Sequence, residues 1–442
     1  LEKTVENIRK LLQNHHQLFQ NSIPLIASEN ITSPAVDEAC SCDFSHRYAE
    51  GWCRERVYAG CKYIDDIEEM CMDLAKKFFN AKFADVRPIS GVVANLALYN
   101  AFTSRNNGKM MVMPIPKGGH ISHAPMFTKS GMQINGTAGT VRGLEIEYFS
   151  FDEQNMNLDI DSSAKIIREF KPELILFGGS VFLFPHPVKE LSEVAKEVGA
   201  HVAYDGAHVA GLIGSGYFQD PLREGAEAMS LSTHKTLPGP QHGMVVANDK
   251  SLVDVLKTAS FPALLSNHHL HNVAGLAVAL AEMIEFGKEY SGQIIKNAKA
   301  LGKALYDKGI NVLQKENDFT SSHQIVAEIS NFEKTVGLGG DIERLLEKAN
   351  IILNRNLLPW DITQGRHYQN PGGLRIGTSE VTRLGMKERE MDQIAEFMKE
   401  VLIDKKDPNS VKEEIKEFRK DFQEVKYCFQ TPNEAYKFHK FY

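Results

Sequence analysis

The chain has little of several things that would mark out a function class. Basic residues are not in excess, with 50 Lys and Arg against 57 Asp and Glu for a net charge of −7. They are also scattered rather than blocked, which argues against nucleic acid or an anionic membrane surface as the main partner. Cysteine is sparse, six in 442 residues. The spacing fits neither paired Cys-x-x-Cys zinc ligation nor a disulfide framework, so a reducing cytosol is the expected setting. Cys40 and Cys42 read as packing at a helix end. The longest apolar stretch, Val273 to Phe286, is too short for a membrane span and contains Glu282, so it reads as a buried helix. No secretory signal pattern is visible, because the first residues are polar and Ile8, Leu11, Leu12 and His15 follow one helical face. Internal repeats and low-complexity segments are also missing.

What is present is the composition of an ordinary globular protein, 43% hydrophobic and 24% charged, with room for two or three domains and a large core. The middle of the chain alternates short apolar runs with helical periods, the pattern of an α/β sheet with crossover helices. Leu174 to Phe177 is predicted as a strand ending at Gly178-Gly179. Leu191, Val194, Ala195 and Val198 follow at helical spacing, with Gly199 as the stop. His201 to Tyr204 is the next strand and delivers Asp205 at its carboxyl end, where open α/β sheets place their ligand sites. Met229 to Ser232 and Met244 to Ala247 add further strands. Beyond Gly275 the texture changes. A helix from Leu276 to Phe286 and a second helical run through Leu301 and Leu305 precede strands at Gln324 to Ile329 and Leu374 to Ile376, with a helix around Ile342 to Ala349 between them. Asn354 to Pro371 is the longest expected loop, and long loops in compact domains are often functional. Helices dominate from Lys387, and the mixed-charge run from Lys405 to Lys420 reads as a solvated helix. The expected division is an N-terminal helical arm (1–45), a large α/β domain (46–275) and a smaller α+β domain (276–442).

Two segments carry the chemistry: Tyr204-Asp205-Gly206-Ala207-His208, and Ser232-Thr233-His234-Lys235-Thr236. A lone lysine near a strand-end aspartate is most often a surface charge. Here an apolar run delivers the aspartate, and a second run delivers the lysine inside a hydroxyl-rich turn. Pyridoxal phosphate (PLP) needs these two partners, an amine to hold the aldehyde and a carboxylate to keep the pyridine nitrogen protonated.

Further motifs give these segments a family context. They are Leu25-Ile26-Ala27-Ser28-Glu29-Asn30, Arg47-Tyr48-Ala49-Glu50-Gly51, Tyr58-Ala59-Gly60-Cys61 and Gly118-Gly119-His120-Ile121-Ser122-His123, joined by Asp205 to Gly211, Thr233 to Thr236, and Arg375-Ile376-Gly377-Thr378. In this order they resemble serine hydroxymethyltransferase, a fold-type-I PLP enzyme, over nearly the whole length, and the archaeal members most of all. The resemblance implies a large domain with a mostly parallel mixed sheet and a smaller α+β C-terminal domain. It implies that Lys235 holds the cofactor as a Schiff base, that Asp205 pairs with the pyridinium nitrogen, and that His120 and Ala207 take the two ring faces. His208 would lie near the ring hydroxyl, Ser90 and Gly91 would cradle the phosphate, and Thr233 and His234 would add further cofactor contacts. Arg375 and Ser28 would hold the amino acid carboxylate. Tyr48, Glu50 and Tyr58 would come from a neighbouring subunit, which makes a cytoplasmic homodimer or larger homo-oligomer the active unit. Glu50 would handle the proton of a β-hydroxyl group while the Cα–Cβ bond breaks, with a reduced pterin as co-substrate.

The chain departs from the family pattern at several points. Cys53-Arg54-Glu55-Arg56 stands where Pro-Gly-Lys-Arg is usual, beside Trp52. His242 replaces a glycine after the lysine turn, Ser266-Asn267 replaces a glycine pair, and His367-Tyr368-Gln369 does not match the folate-contacting segment of bacterial members. These departures keep open a pterin-independent threonine aldolase or transaldolase with the same cofactor core. A PLP-holding protein without turnover is a further alternative, disfavoured by the retention of Lys235, Asp205, Glu50 and Arg375. Arg56 reads equally as a surface charge or a site residue. His46 and His186 read as ordinary histidines, and the spacing of His123, His268, His269 and His271 fits no common zinc site, so no metal is expected.

Overall fold

The computed structural model describes residues 1–105, 107–127, 132–134, 136–429 and 433–438. The last four residues of the expected C-terminal domain lie outside them. Contacts divide the chain into two units, Ala35–Ser291 on the one hand, and Leu1–Pro34 with Gly292–Tyr442 on the other.

The first unit is built on seven strands, β1 (Phe83–Asp85), β2 (Lys109–Val112), β3 (Glu145–Tyr148), β4 (Leu174–Gly178), β5 (His201–Asp205), β6 (Ala228–His234) and β7 (Pro238–Ala247). Their order in the sheet is β1-β7-β6-β5-β4-β2-β3. The β6-β5-β4-β2-β3 run is parallel, and β7 is antiparallel to both of its neighbours. The central strands are buried along their length and read as continuous apolar runs, as expected where helices cover both faces. Met110, Leu174, Leu176, Ala203 and Ala228 pack with Leu98 and Tyr99 of the helix Gly91–Phe102 in one core. The predicted strand ends at Gly178 and Asp205 hold, and Gly199 ends the helix Val188–Val198 in the left-handed region, φ 74°. Strand β7 begins six residues before the expected Met244, because its first half continues the pairing with β6.

The second unit carries a four-stranded antiparallel sheet of β8 (Asn311–Val312), β9 (Gln324–Glu328), β10 (Asn354–Asn356) and β11 (Gly373–Gly377), in the order β8-β9-β11-β10. The expected loop 354–371 therefore opens with a short strand. The N-terminal segment belongs to this unit, since Ile23–Pro24 pairs in parallel with Ile351–Ile352. Leu25, Leu301, Ile325, Leu374, Ile394 and Ile415 share its core.

Two helical expectations change. The runs read as separate helices beyond Gly275 are one 38-residue helix, Leu270–Asp307. Glycine in a helix interior costs roughly 1 kcal/mol, yet the helix runs through Gly287 and Gly292. A Cβ on Gly287 would come within 2.8 Å of Ser215 Oγ, so close packing is what selects glycine there. By length and composition this helix could cross a membrane, but 56% of its most apolar window is buried inside the fold. The charged helix at the C-terminal end, Pro408–Arg419, is solvated on one side only, since Val411, Ile415 and Arg419 are buried.

Arg419 belongs to a buried polar cluster with Glu380 and Tyr436. The Tyr436 hydroxyl donates to Glu380 Oε1 at 2.5 Å. Burial raises the Glu380 pKa from 4.5 to about 7, with the neighbouring Arg419 opposing. A carboxyl whose folded pKa is raised stabilises the fold below its unfolded pKa, and that contribution is lost as pH rises through the folded value. Over pH 4.5 to 7 the loss amounts to at most on the order of 3 kcal/mol. Glu380→Gln keeps the acceptor and removes the charge, so its melting temperature should fall less between pH 5 and pH 8 than that of the parent protein. Equal falls in the two proteins would exclude Glu380 as the titrating group.

Candidate active site

The first unit gathers its functional side chains at the carboxyl ends of β5 and β6. Parallel pairing sets Asp205 beside Ser230, and β6 ends at His234, one residue before Lys235. That lysine is 8% exposed. Two threonines fix its turn. Thr233 Oγ1 donates to the Pro240 carbonyl at 2.5 Å, and Thr236 Oγ1 donates to the His208 carbonyl at 2.9 Å while accepting from Gly211 N. The second pair ties the lysine turn to the loop after Asp205, so both segments keep one geometry. His208 is buried within that loop.

Asp205 is 3% exposed. Its Oδ1 accepts from Ala207 N at 2.9 Å, and Oδ2 accepts from Asn95 Nδ2 at 2.9 Å and His123 Nε2 at 2.7 Å. Burial alone would raise its pKa. The hydrogen bond and charge of His123, the nearby His120 ring and the Asn95 amide outweigh burial and hold the carboxyl well below the usual carboxylate range. Asp205 is therefore an anion in a nearly closed interior.

The partners of Asp205 form a directed chain. Ser230 Oγ donates to Asn95 Oδ1 at 2.5 Å, which fixes the amide orientation. Asn95 Nδ2 also donates to Ser122 Oγ at 2.9 Å. His120 Nδ1 accepts from Ser122 N at 3.1 Å and lies 2.7 Å from Ser122 Oγ. Because Nδ1 already accepts from a peptide N–H, the serine hydroxyl donates to it and the His120 ring proton sits on Nε2. His123 Nε2 donates to Asp205, so its 3.2 Å approach to Asn95 Nδ2 sets two donors side by side and is not a hydrogen bond. The rings of His120 and His123 meet edge to face, 5.8 Å apart.

Sequence reasoning missed Asn95 and weighed His123 only as a metal ligand. The signals were present: Asn95 lies one turn into the helix that Ser90 opens, and His123 closes the Gly-Gly-His-Ile-Ser-His segment. Among the described residues no cluster of His, Cys, Asp and Glu is arranged to hold a metal ion.

The donor set fits the phosphate end of PLP. Ser90 caps the helix Gly91–Phe102, its Oγ accepting from Val93 N at 3.2 Å. The first-turn N–H groups are a natural anion site. A Cβ on Gly91 would fall 2.2 Å from Ser232 Oγ, and one on Gly243 would fall 2.2 Å from the Ser90 carbonyl. Glycine at 243 lets its backbone approach that of Ser90, and glycine at 91 leaves room for the Ser232 hydroxyl. His234 is held down to about 4 by burial and by the Lys235 charge, and its Nδ1 has no hydrogen-bond partner among the described residues. A buried amine, a buried carboxylate and a helix N-terminus are what the cofactor's aldehyde, ring nitrogen and phosphate each require.

The remaining candidates fall in two places. Tyr48, Glu50 and Tyr58 lie on the first unit, the tyrosines 42% and 47% exposed with ring centroids 4.9 Å apart. Ser28 and Arg375 lie on the second unit. There Gly377 packs directly on Ala27 and its N–H donates to the Leu25 carbonyl at 2.8 Å, which brings the two segments together. Arg375 Nε and Nη2 donate to Asn354 Oδ1 at 3.3 and 3.2 Å, and burial lowers its pKa to about 10.

Two of the departures from the family pattern, Trp52 and His242, are packed into the first unit. Trp52 packs over Phe83, with Arg87 at 4.5 Å and Lys257 at 4.2 Å from its ring. His242 is fully buried, held down to about 3 by burial, and donates from Nε2 to the Val86 carbonyl at 2.7 Å. His186 is buried and accepts from Gly178 N, while His46 is exposed beside Asp43. Arg56 is not a surface charge. Its side chain is 3% exposed and ion-paired to Asp65 and Glu68.

Comparison with known proteins accounts for this geometry. The family model described as "Serine hydroxymethyltransferase" matches residues 1–398. A serine hydroxymethyltransferase of Korarchaeum cryptofilum is 56% identical over 96% of both chains. One from Nitrosopumilus maritimus is 55% identical over 97% of this chain and 96% of its own, and one from Methanocaldococcus jannaschii is 51% identical over 98% of both. Among solved structures, L-threonine transaldolase from Pseudomonas fluorescens superposes with a TM-score of 0.84 at 26% identity, covering 97% of this chain and 94% of that one. The chain belongs to the serine hydroxymethyltransferase family of PLP-dependent hydroxymethyltransferases and has the fold-type-I architecture.

Proposed function

We propose that this chain interconverts serine and glycine, passing the hydroxymethyl carbon of serine to a reduced pterin, tetrahydrofolate or tetrahydromethanopterin. The observation that carries the reading is the buried, ionised Asp205 beside the Lys235 turn, in a chain that also keeps Glu50, the carboxylate a β-hydroxyl substrate needs. When bound, PLP supplies an aldehyde for an amine to hold and a ring that takes up electrons from a breaking Cα bond.

The side chains then divide the work. Lys235 would hold the cofactor through its amine. Asp205 would set its negative charge against the ring nitrogen, and the Asn95–Ser122 chain orients His120, which with Ala207 would take the two ring faces. Ser90 and Gly91 would receive the phosphate, Thr233 and His234 would add further contacts, and His208 would lie near the ring hydroxyl. Arg375 and Ser28 fix the substrate carboxylate, where a planar guanidinium matches two oxygens at once. Glu50 takes the proton of the serine hydroxyl as the Cα–Cβ bond opens. Tyr48, Glu50 and Tyr58 act in the site of a second copy, which makes the homodimer the smallest active unit. The exposed Tyr48, Val57, Tyr58 and Tyr63 support that arrangement.

The threonine aldolase or transaldolase reading draws on the structural neighbour at 26% identity, against 51–56% for the three serine hydroxymethyltransferases. The deciding experiment measures glycine formation by PLP-loaded protein from serine and from threonine, each with and without tetrahydrofolate and tetrahydromethanopterin. Serine turnover that requires a pterin is expected, and the active pterin names the carrier. Pterin-indifferent threonine cleavage with serine inert would overturn the reading.

A further inference from the structure

A set of buried charges outside the lysine–aspartate centre surrounds Arg56, and it converges on the segment that carries Glu50. Arg56 Nη1 donates to the Ala49 carbonyl at 2.9 Å and to the Gly51 carbonyl at 2.7 Å, the carbonyls of the residues before and after Glu50. The guanidinium is anchored by Asp65 Oδ1 and Glu68 Oε2, each at 2.8 Å. Glu68 Oε2 in turn accepts from His268 Nε2 at 2.8 Å. The residue before His268, Asn267, grips the same segment from its other end. Its Oδ1 accepts from Ala49 N at 3.0 Å, and its Nδ2 donates to the Arg47 carbonyl at 3.1 Å. Ser266 Oγ lies 2.8 Å from the Tyr48 hydroxyl, and the Glu50 carbonyl accepts from Val57 N at 3.0 Å. At the two positions where the resembled family carries glycines, this chain thus has side chains that bond the Tyr48–Ala49 segment.

The Glu50 carboxylate itself makes no hydrogen bond among the described residues, so its direction is set through its backbone. We infer that Arg56 and Asn267 are positioning residues for Glu50. They fix the peptide groups around it so that its carboxylate is presented in one orientation to the substrate hydroxyl. The inference rests on the role proposed for Glu50. A misplacement of about 1 Å is enough to cost roughly 10²-fold in rate, and a clamp of this kind holds that error down without touching substrate. Arg56 suits the task because one guanidinium serves two carbonyls and two carboxylates at once, which an ammonium group does not.

The test uses purified holoenzyme and a double-mutant cycle. Arg56→Lys keeps the buried charge and loses the fork. Asn267→Ala leaves the buried ion pairs untouched and serves as the second variant should Arg56→Lys fail to fold. Each is expected to lower kcat for serine by roughly 10- to 10²-fold, with KM for serine and the absorbance of the bound cofactor little changed, and with the melting temperature of Asn267→Ala close to the parental one. In a Glu50→Gln background the same substitutions should cost almost nothing more. Losses that multiply fully in that background, or single variants with parental kcat, would overturn the inference. A Glu50→Gln enzyme with parental kcat would instead overturn the role of Glu50 itself, so the two failures are distinguishable.

Discussion

Lys235→Ala is expected to lower serine turnover by roughly 10⁴-fold or more, as removal of a covalent attachment point does in other enzymes. Borohydride reduction should attach the cofactor to the parent protein and leave the variant unlabelled. The fold should survive, because the turn is held by Thr233 and Thr236, whose bonds to the Pro240 and His208 carbonyls do not involve the lysine side chain. A variant that keeps a tenth of the parental rate would mean that another amine holds the cofactor.

Asp205→Asn should be nearly as damaging to kcat, about 10³-fold, while leaving the cofactor attached at Lys235. The substitution changes one oxygen for an NH₂ group, and the surroundings leave no tolerant place for it. Ala207 N–H points at Oδ1, and the Asn95 amide and His123 Nε2 both point at Oδ2. Whichever way the new amide turns, a donor faces a donor in a buried site, at a cost of about 1–3 kcal/mol. A lower melting temperature should therefore accompany the loss of rate. An Asp205→Asn enzyme within tenfold of the parental kcat would remove the carboxylate from its proposed role.

Much of this site was legible before folding, and the residues that were not share a physical reason. Asp205 and Lys235 announce themselves because each ends an apolar run, and strand ends can be read locally. Glu50, His120 and Arg375 were nominated through short motifs. Asn95 meets Asp205 across 110 residues, and His268 meets Glu68 across 200. Nothing in either local pattern encodes the partner. Arg56 read equally as a surface charge because burial of a long polar side chain depends on what arrives from elsewhere, here Asp65, Glu68 and the Ala49 and Gly51 carbonyls. The Pro408–Arg419 helix taught the same lesson, since its charge density hid a buried face.

By itself the sequence determined the alternation of strands and helices, the strand ends where ligand chemistry is placed, and the kinds of side chain available there. These follow from hydrophobic periodicity and turn chemistry, both short-range properties of the chain. Only the tertiary structure decided that Asp205 is ionised, that the His120 ring proton sits on Nε2, and that Glu50 is gripped from both sides. Charge state and orientation depend on desolvation and on donors brought from distant segments, and those exist only once the chain has folded.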